Sequence, residues 1–170
     1  MSQPTWDIVS GRATVVIIDT DGELKDLAVK DQLKDIREVV VIFGEAKIGT
    51  FANIEVQYNL KSGECRLTCR DSLHSWETIH YSGVLHRPQN TGYSFFDMLR
   101  RATRSLTFED VRIGEGDEDC EVIESYLQRI KLPHGFLRPQ SLRSAWRQLC
   151  EIALGYIYKD VDGIIKFALH

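Results

Sequence analysis

Asp19 and Asp21 stand two residues apart, just past the apolar run Val15-Val16-Ile17-Ile18 and just before Gly22. Two carboxylates beyond the C-terminal end of a strand could divide acid–base work, one attacking a phosphorus centre and the other handling the leaving-group proton. In a purely structural role the same residues make an Asp-Gly turn, since Asp tolerates a positive φ and Gly favours it. Cys65, Cys69, His74, His80 and His86 carry the atoms that hold zinc. Four residues of strand at ~3.3 Å each, however, separate the two thiols by roughly 13 Å, too far to share one ion. Cys65, Cys69, Cys120 and Cys150 are therefore expected to stay reduced, as small core side chains. No catalytic residue, cofactor or metal is expected.

Charge is grouped rather than spread. Arg100, Arg101 and Arg104 fall opposite the apolar side of a helix expected after Ser94, and Arg143 and Arg147 lie one turn apart on the last helix. Either group could meet phosphate or a lipid headgroup. Residues 109 to 124 are strongly acidic, with Arg112 as the single cation. Within them Glu115, Asp117, Glu118, Asp119 and Glu121 form a candidate docking face for a basic partner, on an exposed loop leading into a helix.

Patterning supplies the elements that must position these groups. Thr14–Ile18 is β-branched and predicts a strand closed by the Asp19–Gly22 turn. Lys30–Glu38 reads as a short amphipathic helix, and Val39–Phe43 as a strand buried on both faces. Ile54, Val56, Tyr58 and Leu60 alternate with polar residues, as do Cys65, Leu67 and Cys69, so residues 53–70 predict an antiparallel hairpin turning at Lys61-Ser62-Gly63. Further strand is expected over Trp76–Leu85.

After Ser94 the period becomes 3.6, with Phe95, Leu99, Ala102 and Leu106 on one face, Ser94 as cap and Asp97 at the third position. A second helix carries Val122, Ile123, Tyr126, Leu127 and Ile130 and stops at Pro133-His134-Gly135. Pro139-Gln140-Ser141 opens a last helix with Leu142, Ala145, Trp146, Leu149 and Ala153 inward, which Gly155 ends. Residues 156–169 predict a closing hairpin. Hairpins early and helices late imply an α+β fold: one domain without internal boundary, a mainly antiparallel sheet with helices on one side, and a C-terminal helix plus hairpin.

The chain has 170 residues, 43% hydrophobic and 27% charged, enough for a packed core and outside the disordered class. A net charge of −4 gives no global field for nucleic acid or an anionic membrane, so any such binding falls to a local basic face. The first residues lack the basic and apolar regions of a signal peptide, and no apolar run reaches the ~20 residues of a spanning helix. A cytoplasmic protein is expected.

Two resemblances bear on function. Asn90-Thr91-Gly92-Tyr93-Ser94-Phe95-Phe96-Asp97-Met98-Leu99-Arg100, continuing to Val111-Arg112-Ile113-Gly114, resembles the helix segment of rhabdovirus matrix proteins, as does the ending Ala153-Leu154-Gly155-Tyr156-Ile157-Tyr158-Lys159 with its turn at Gly163. The compact type found in plant rhabdoviruses fits the length. That resemblance implies a non-enzymatic virion protein of the host cytoplasm that self-associates and bridges nucleocapsid toward the membrane surface and glycoprotein tail, without a small-molecule substrate. Arg100, Arg101, Arg104, Arg143 and Arg147 would then contact nucleocapsid or lipid. The alternative is a small cytosolic inhibitor or immunity-like protein that docks a basic partner through the acidic segment. A minor alternative follows Asp19-Thr20-Asp21-Gly22-Glu23-Leu24, which resembles the first motif of Mg²⁺-dependent haloacid-dehalogenase-type phosphatases, with Asp19 as nucleophile and Asp21 as acid/base.

Overall fold

The computed structural model describes residues 8–29, 36, 38–82, 94–114, 117–131 and 138–170. In chain order the elements are β1 (Ile8–Val9), β2 (Arg12–Ile18), α1 (Glu23–Val29), β3 (Val39–Phe43), β4 (Ala46–Phe51), β5 (Asn53–Asn59), β6 (Glu64–Arg70), a 3-10 turn (Ser72–Glu77) and β7 (His80–Tyr81). They continue with α2 (Phe95–Thr107), β8 (Val111–Ile113), α3 (Asp117–Arg129), β9 (Gln140–Ser141), α4 (Leu142–Ala153), β10 (Gly155–Lys159) and β11 (Ile165–Leu169). The fold class is α+β. The chain gathers into two compact units, one of Ser10–His74 with Val161–Gly163, the other of Met1–Val9, Ser75–Asp160 and Ile164–His170. Among the described residues no helix is long and apolar enough to cross a membrane.

The unit of Ser10–His74 is built on a three-stranded antiparallel sheet in the order β2-β6-β5. Strict alternation divides its faces. Ala13 and Val15 from β2, Cys65, Leu67 and Cys69 from β6, and Ile54, Val56 and Tyr58 from β5 share one face, where they pack with Phe51, Leu24 and Ala28. Leu24 and Ala28 are one turn apart on α1, so that short helix presents a single apolar edge to the core. Most of residues 30–38, including the expected helix there, lie outside the described residues. The hairpin expected over 53–70 is present, and Gly63, at φ 66°, turns it in a conformation that glycine adopts without steric cost.

Val39–Phe43 is a strand, but not one buried on both faces. Among the described strands it pairs with β4 alone, an element the patterning did not reveal, and it exposes Val40, Ile42 and Phe43. Val39 and Val41 face the core. A two-stranded ribbon laid on a core has one inner side, so an unbroken apolar run does not ensure two buried faces.

In the other unit a mixed sheet runs in the order β1-β10-β11-β8. β10 and β11 form the expected closing hairpin, while β1 and β8 join in parallel. Trp146 anchors the core: its ring stacks on Trp76 with centroids 6.1 Å apart and meets Phe96 edge-on at 5.7 Å. Its indole N–H donates to Thr103 Oγ1 at 2.7 Å, and that hydroxyl donates to the Leu99 carbonyl at 2.8 Å, so both buried polar groups are satisfied. Ser94 caps α2 as its sequence position predicts, and Ser141 caps α4 at the helix start expected there, each accepting from the backbone N–H three residues on.

Several local expectations are corrected. The inward face of α2 uses Phe96, Met98 and Thr103 beside Phe95 and Leu99, whereas Leu106 is exposed. Trp76 sits in the 3-10 turn rather than in a long strand; only His80–Tyr81 is strand, and residues 83–85 lie outside the described residues. The acidic stretch is not one loop, because Val111–Ile113 joins the sheet and α3 begins at Asp117. Acidic side chains suit a helix N-terminus through its dipole, so a run of carboxylates is compatible with helix. The Pro133–Gly135 stop lies outside the described residues. α4 ends on Leu154 in the left-handed region, φ 54°, and Gly155 already belongs to β10.

Candidate assembly surface

Asp19 is occupied structurally. Its Oδ1 accepts from the Gly22 backbone N–H at 3.0 Å, and its Oδ2 accepts from Lys25 N–H and the Tyr58 hydroxyl, each at 2.8 Å. Desolvation at this half-buried position pushes its pKa up. The donors, Tyr58 first, then the N–H groups of Lys25, Leu24 and Gly22, outweigh it and hold the carboxyl below its usual range. Tyr58 responds in the opposite sense, pushed up to about 12 by burial and by the carboxylate it bonds. Asp21 is exposed and accepts from the Thr20 hydroxyl.

Cys65 and Cys69 point into the core, and burial raises both thiols above their ordinary pKa, which makes them poor nucleophiles and poor metal ligands. Cys150 is buried, and Cys120 donates to the Ile113 carbonyl at 2.8 Å. His74 bonds the Arg70 guanidinium, and the two line a shallow cavity of about 260 Å³ with Ile54, Glu55 and Thr68. His80 is exposed, and His86 lies outside the described residues.

Three of the five arginines meet acids close by. Arg100 makes a two-pronged bond to Asp110, Nε to Oδ1 at 2.8 Å and an Nη to Oδ2 at 2.9 Å. Arg143 pairs with Glu77 at 3.4 Å and Arg147 with Glu151 at 3.2 Å, while Arg101 and Arg104 are exposed on α2. The paired arginines take separate acceptors and do not pool into one anion cradle. On the acidic side, Glu115 and the side chains of Asp117, Glu118 and Asp119 lie outside the described residues; Glu121 is exposed on α3.

Periodicity did not single out the exposed apolar groups of the Ser10–His74 unit. On the β3–β4 ribbon Val40, Ile42, Phe43 and Ile48 are 45%, 63%, 81% and 54% exposed. The pairing shifts register between Val41 and Ile42, a bulge that leaves Ile48 without an opposite residue. On β2, Val16 and Ile18 are also exposed. Single exposed apolar residues are ordinary, but a group gathered on one ribbon marks a contact surface. The signal for it in the sequence is the unbroken apolar run Val39–Phe43, which by itself implies burial.

No family model matches the chain, and no curated protein matches it. Among solved structures, the chain is similar to the 43 kDa tail protein of prophage MuSo2 from Shewanella oneidensis, at 9% identity and a TM-score of 0.48. The likeness covers 94% of this chain and 46% of that one, so the chain spans less than half of that protein's length.

Proposed function

We propose that this chain is a non-enzymatic structural protein that works by self-association, the behaviour implied by the matrix-type resemblance. The observation that supports the reading is the set of exposed apolar side chains on the β3–β4 ribbon, Val40 and Ile42 on its outer face with Phe43 and Ile48 beside them. Leaving such side chains in water costs on the order of 25 cal/mol per Å² of apolar area, a cost that association removes. The bridging part of the reading, from nucleoprotein to membrane surface, falls to Arg100, Arg101, Arg104, Arg143 and Arg147, of which Arg101, Arg104 and Arg147 are exposed on their helices.

Sedimentation velocity across a concentration series tests self-association, with co-pelleting on nucleoprotein and on anionic liposomes testing the bridging. Phe43→Ser and Ile42→Thr alter exposed side chains and should weaken association by on the order of tenfold each while leaving the fold intact. A protein that stays monomeric at every concentration and pellets with neither partner would sink the reading.

A further inference from the structure

We infer that two copies of the chain join through the edge of β2 that no described strand covers, antiparallel about a two-fold axis at Val15, so that the β2-β6-β5 sheet continues from one copy into the other. The inference rests on the self-association reading and adds to it a second contact, distinct from the β3–β4 ribbon.

Among the described strands β2 pairs with β6 alone. Two bonds flanking the ladder fix which backbone groups face β6. The Asp71 N–H donates to the Gly11 carbonyl at 3.1 Å, and the Asp19 N–H donates to the Gly63 carbonyl at 2.8 Å. Both continue the register in which Arg12 faces Arg70 and Ile18 faces Glu64. In an antiparallel pair the hydrogen-bonded positions alternate, so the odd-numbered residues from Gly11 to Asp19 bond toward β6. Arg12, Thr14, Val16 and Ile18 consequently direct their N–H and C=O groups to the open edge.

That edge lacks the usual protections. Natural edge strands are blunted by charge, proline, a bulge or shortness. From Ala13 to Ile18 there is no charge and no proline, and the β2–β6 register runs without a shift. Val16, Ile17 and Ile18 are 50%, 37% and 63% exposed.

The edge also complements itself. With the axis at Val15, Thr14 of one copy faces Val16 of the other and Arg12 faces Ile18, so every outward-directed residue from 12 to 18 falls in a hydrogen-bonded pair. Moving the axis to Val16 would leave Arg12 opposite Thr20, beyond the strand. The Val15 register keeps each sheet face continuous, because even residues meet even residues.

Charge favours the same register. In one copy Arg12 lies directly opposite Arg70, an unfavourable like-charge neighbour. In the pair, the Arg12 stem covers Ile18 of the second copy, whose cross-strand neighbour is Glu64. Two strand spacings of about 4.8 Å place that carboxylate within reach of the guanidinium.

The test is sedimentation velocity on the full chain with Val16→Pro, Arg12→Glu, Glu64→Arg and the double charge swap, each checked by circular dichroism. Val16→Pro removes an N–H that faces away from β6, a position where an edge strand tolerates proline. It should weaken association at least tenfold; each single swap should weaken it severalfold, and the double swap should restore it. Val15→Cys should cross-link two copies on mild oxidation, whereas Ala13→Cys should not, since only the axis residue meets its own copy at ~4.5 Å between Cα atoms. Unchanged association of a folded Val16→Pro variant overturns edge pairing but leaves self-association standing, whereas a strictly monomeric wild type overturns both. If Val16→Pro fails to fold, the charge swaps decide: failure of the double swap to restore association overturns the register.

Discussion

The Tyr58 hydroxyl donates to Oδ2 of Asp19 at 2.8 Å, joining the end of β5 to the turn that leaves β2. The same carboxylate accepts the Gly22 and Lys25 N–H groups, so one side chain closes the turn, caps α1 and ties the two outer strands of the sheet together. An Asp-x-Asp-Gly pattern after a strand, which could supply a nucleophile, here supplies a joint.

The joint makes stability depend on pH at both extremes. Asp19 has a lowered pKa when folded, so its contribution is present above the ordinary carboxylate range and is lost as pH falls through the folded value. Tyr58 is pushed up to about 12, so its contribution is present below the ordinary phenol value near 10 and is lost as pH rises toward 12. The wild type should therefore be more stable than Tyr58→Phe near neutrality. The gap should narrow below about pH 4 and again above about pH 10, as followed by urea unfolding across pH. A gap that stays constant with pH would show that the bond carries no linkage.

Thr103 holds the only acceptor bonded to the Trp146 indole among the described contacts, and Trp146 is fully buried. Thr103→Val keeps the volume and leaves that N–H unsatisfied, at a cost of about 1–3 kcal/mol in urea unfolding. Thr103→Ser retains the hydroxyl and should lose less. Equal losses in the two variants would assign the effect to packing instead.

Leu154 and Gly155 should respond with opposite signs. A Cβ on Gly155 would meet Phe167 Cζ at 2.5 Å and the Ala168 carbonyl at 2.7 Å, so Gly155→Ala should cost roughly 1–3 kcal/mol of stability. Leu154 is an exposed cap residue at φ 54°, and Leu154→Gly should be neutral to stabilising by up to about 1 kcal/mol. Thermal melts of both variants check the pair; a destabilised Leu154→Gly would mean that its side chain packs.

Arg100 and Asp110 are more than a third exposed, so their two-pronged pair is screened and worth at most about 1 kcal/mol. Hydrogen bonding from Arg100 first, opposed by partial burial, lowers the Asp110 pKa. The contribution is thus present above the usual carboxylate range and lost as pH falls through the folded value. Arg100→Lys should not recover it, since an ammonium lacks the planar fork. High salt should shrink the difference between wild type and Arg100→Ala in urea unfolding.

What the amino-acid sequence determined by itself was carried by short-range physics. Alternation over 53–70 specified two strands with one apolar face each, because side chains on a strand change side at every residue. Ser94 and Ser141 specified helix starts, because a cap bond spans three residues. The Asp-Gly turn, the α+β class and the closing hairpin were legible for similar reasons. Tertiary structure decided the rest, since each remaining feature depends on what arrives from far along the chain. Val111–Ile113 is strand because β11, some fifty residues on, pairs with it. Gly155 is a glycine because the Phe167 ring lies against it. Val40 and Ile42 are exposed because β3 has one covered side, and Phe43 because it ends the strand; β2 is an edge because β6 is its sole neighbour among the described strands. Composition alone cannot distinguish an apolar residue facing a core from one facing water; only the placement of neighbouring strands does.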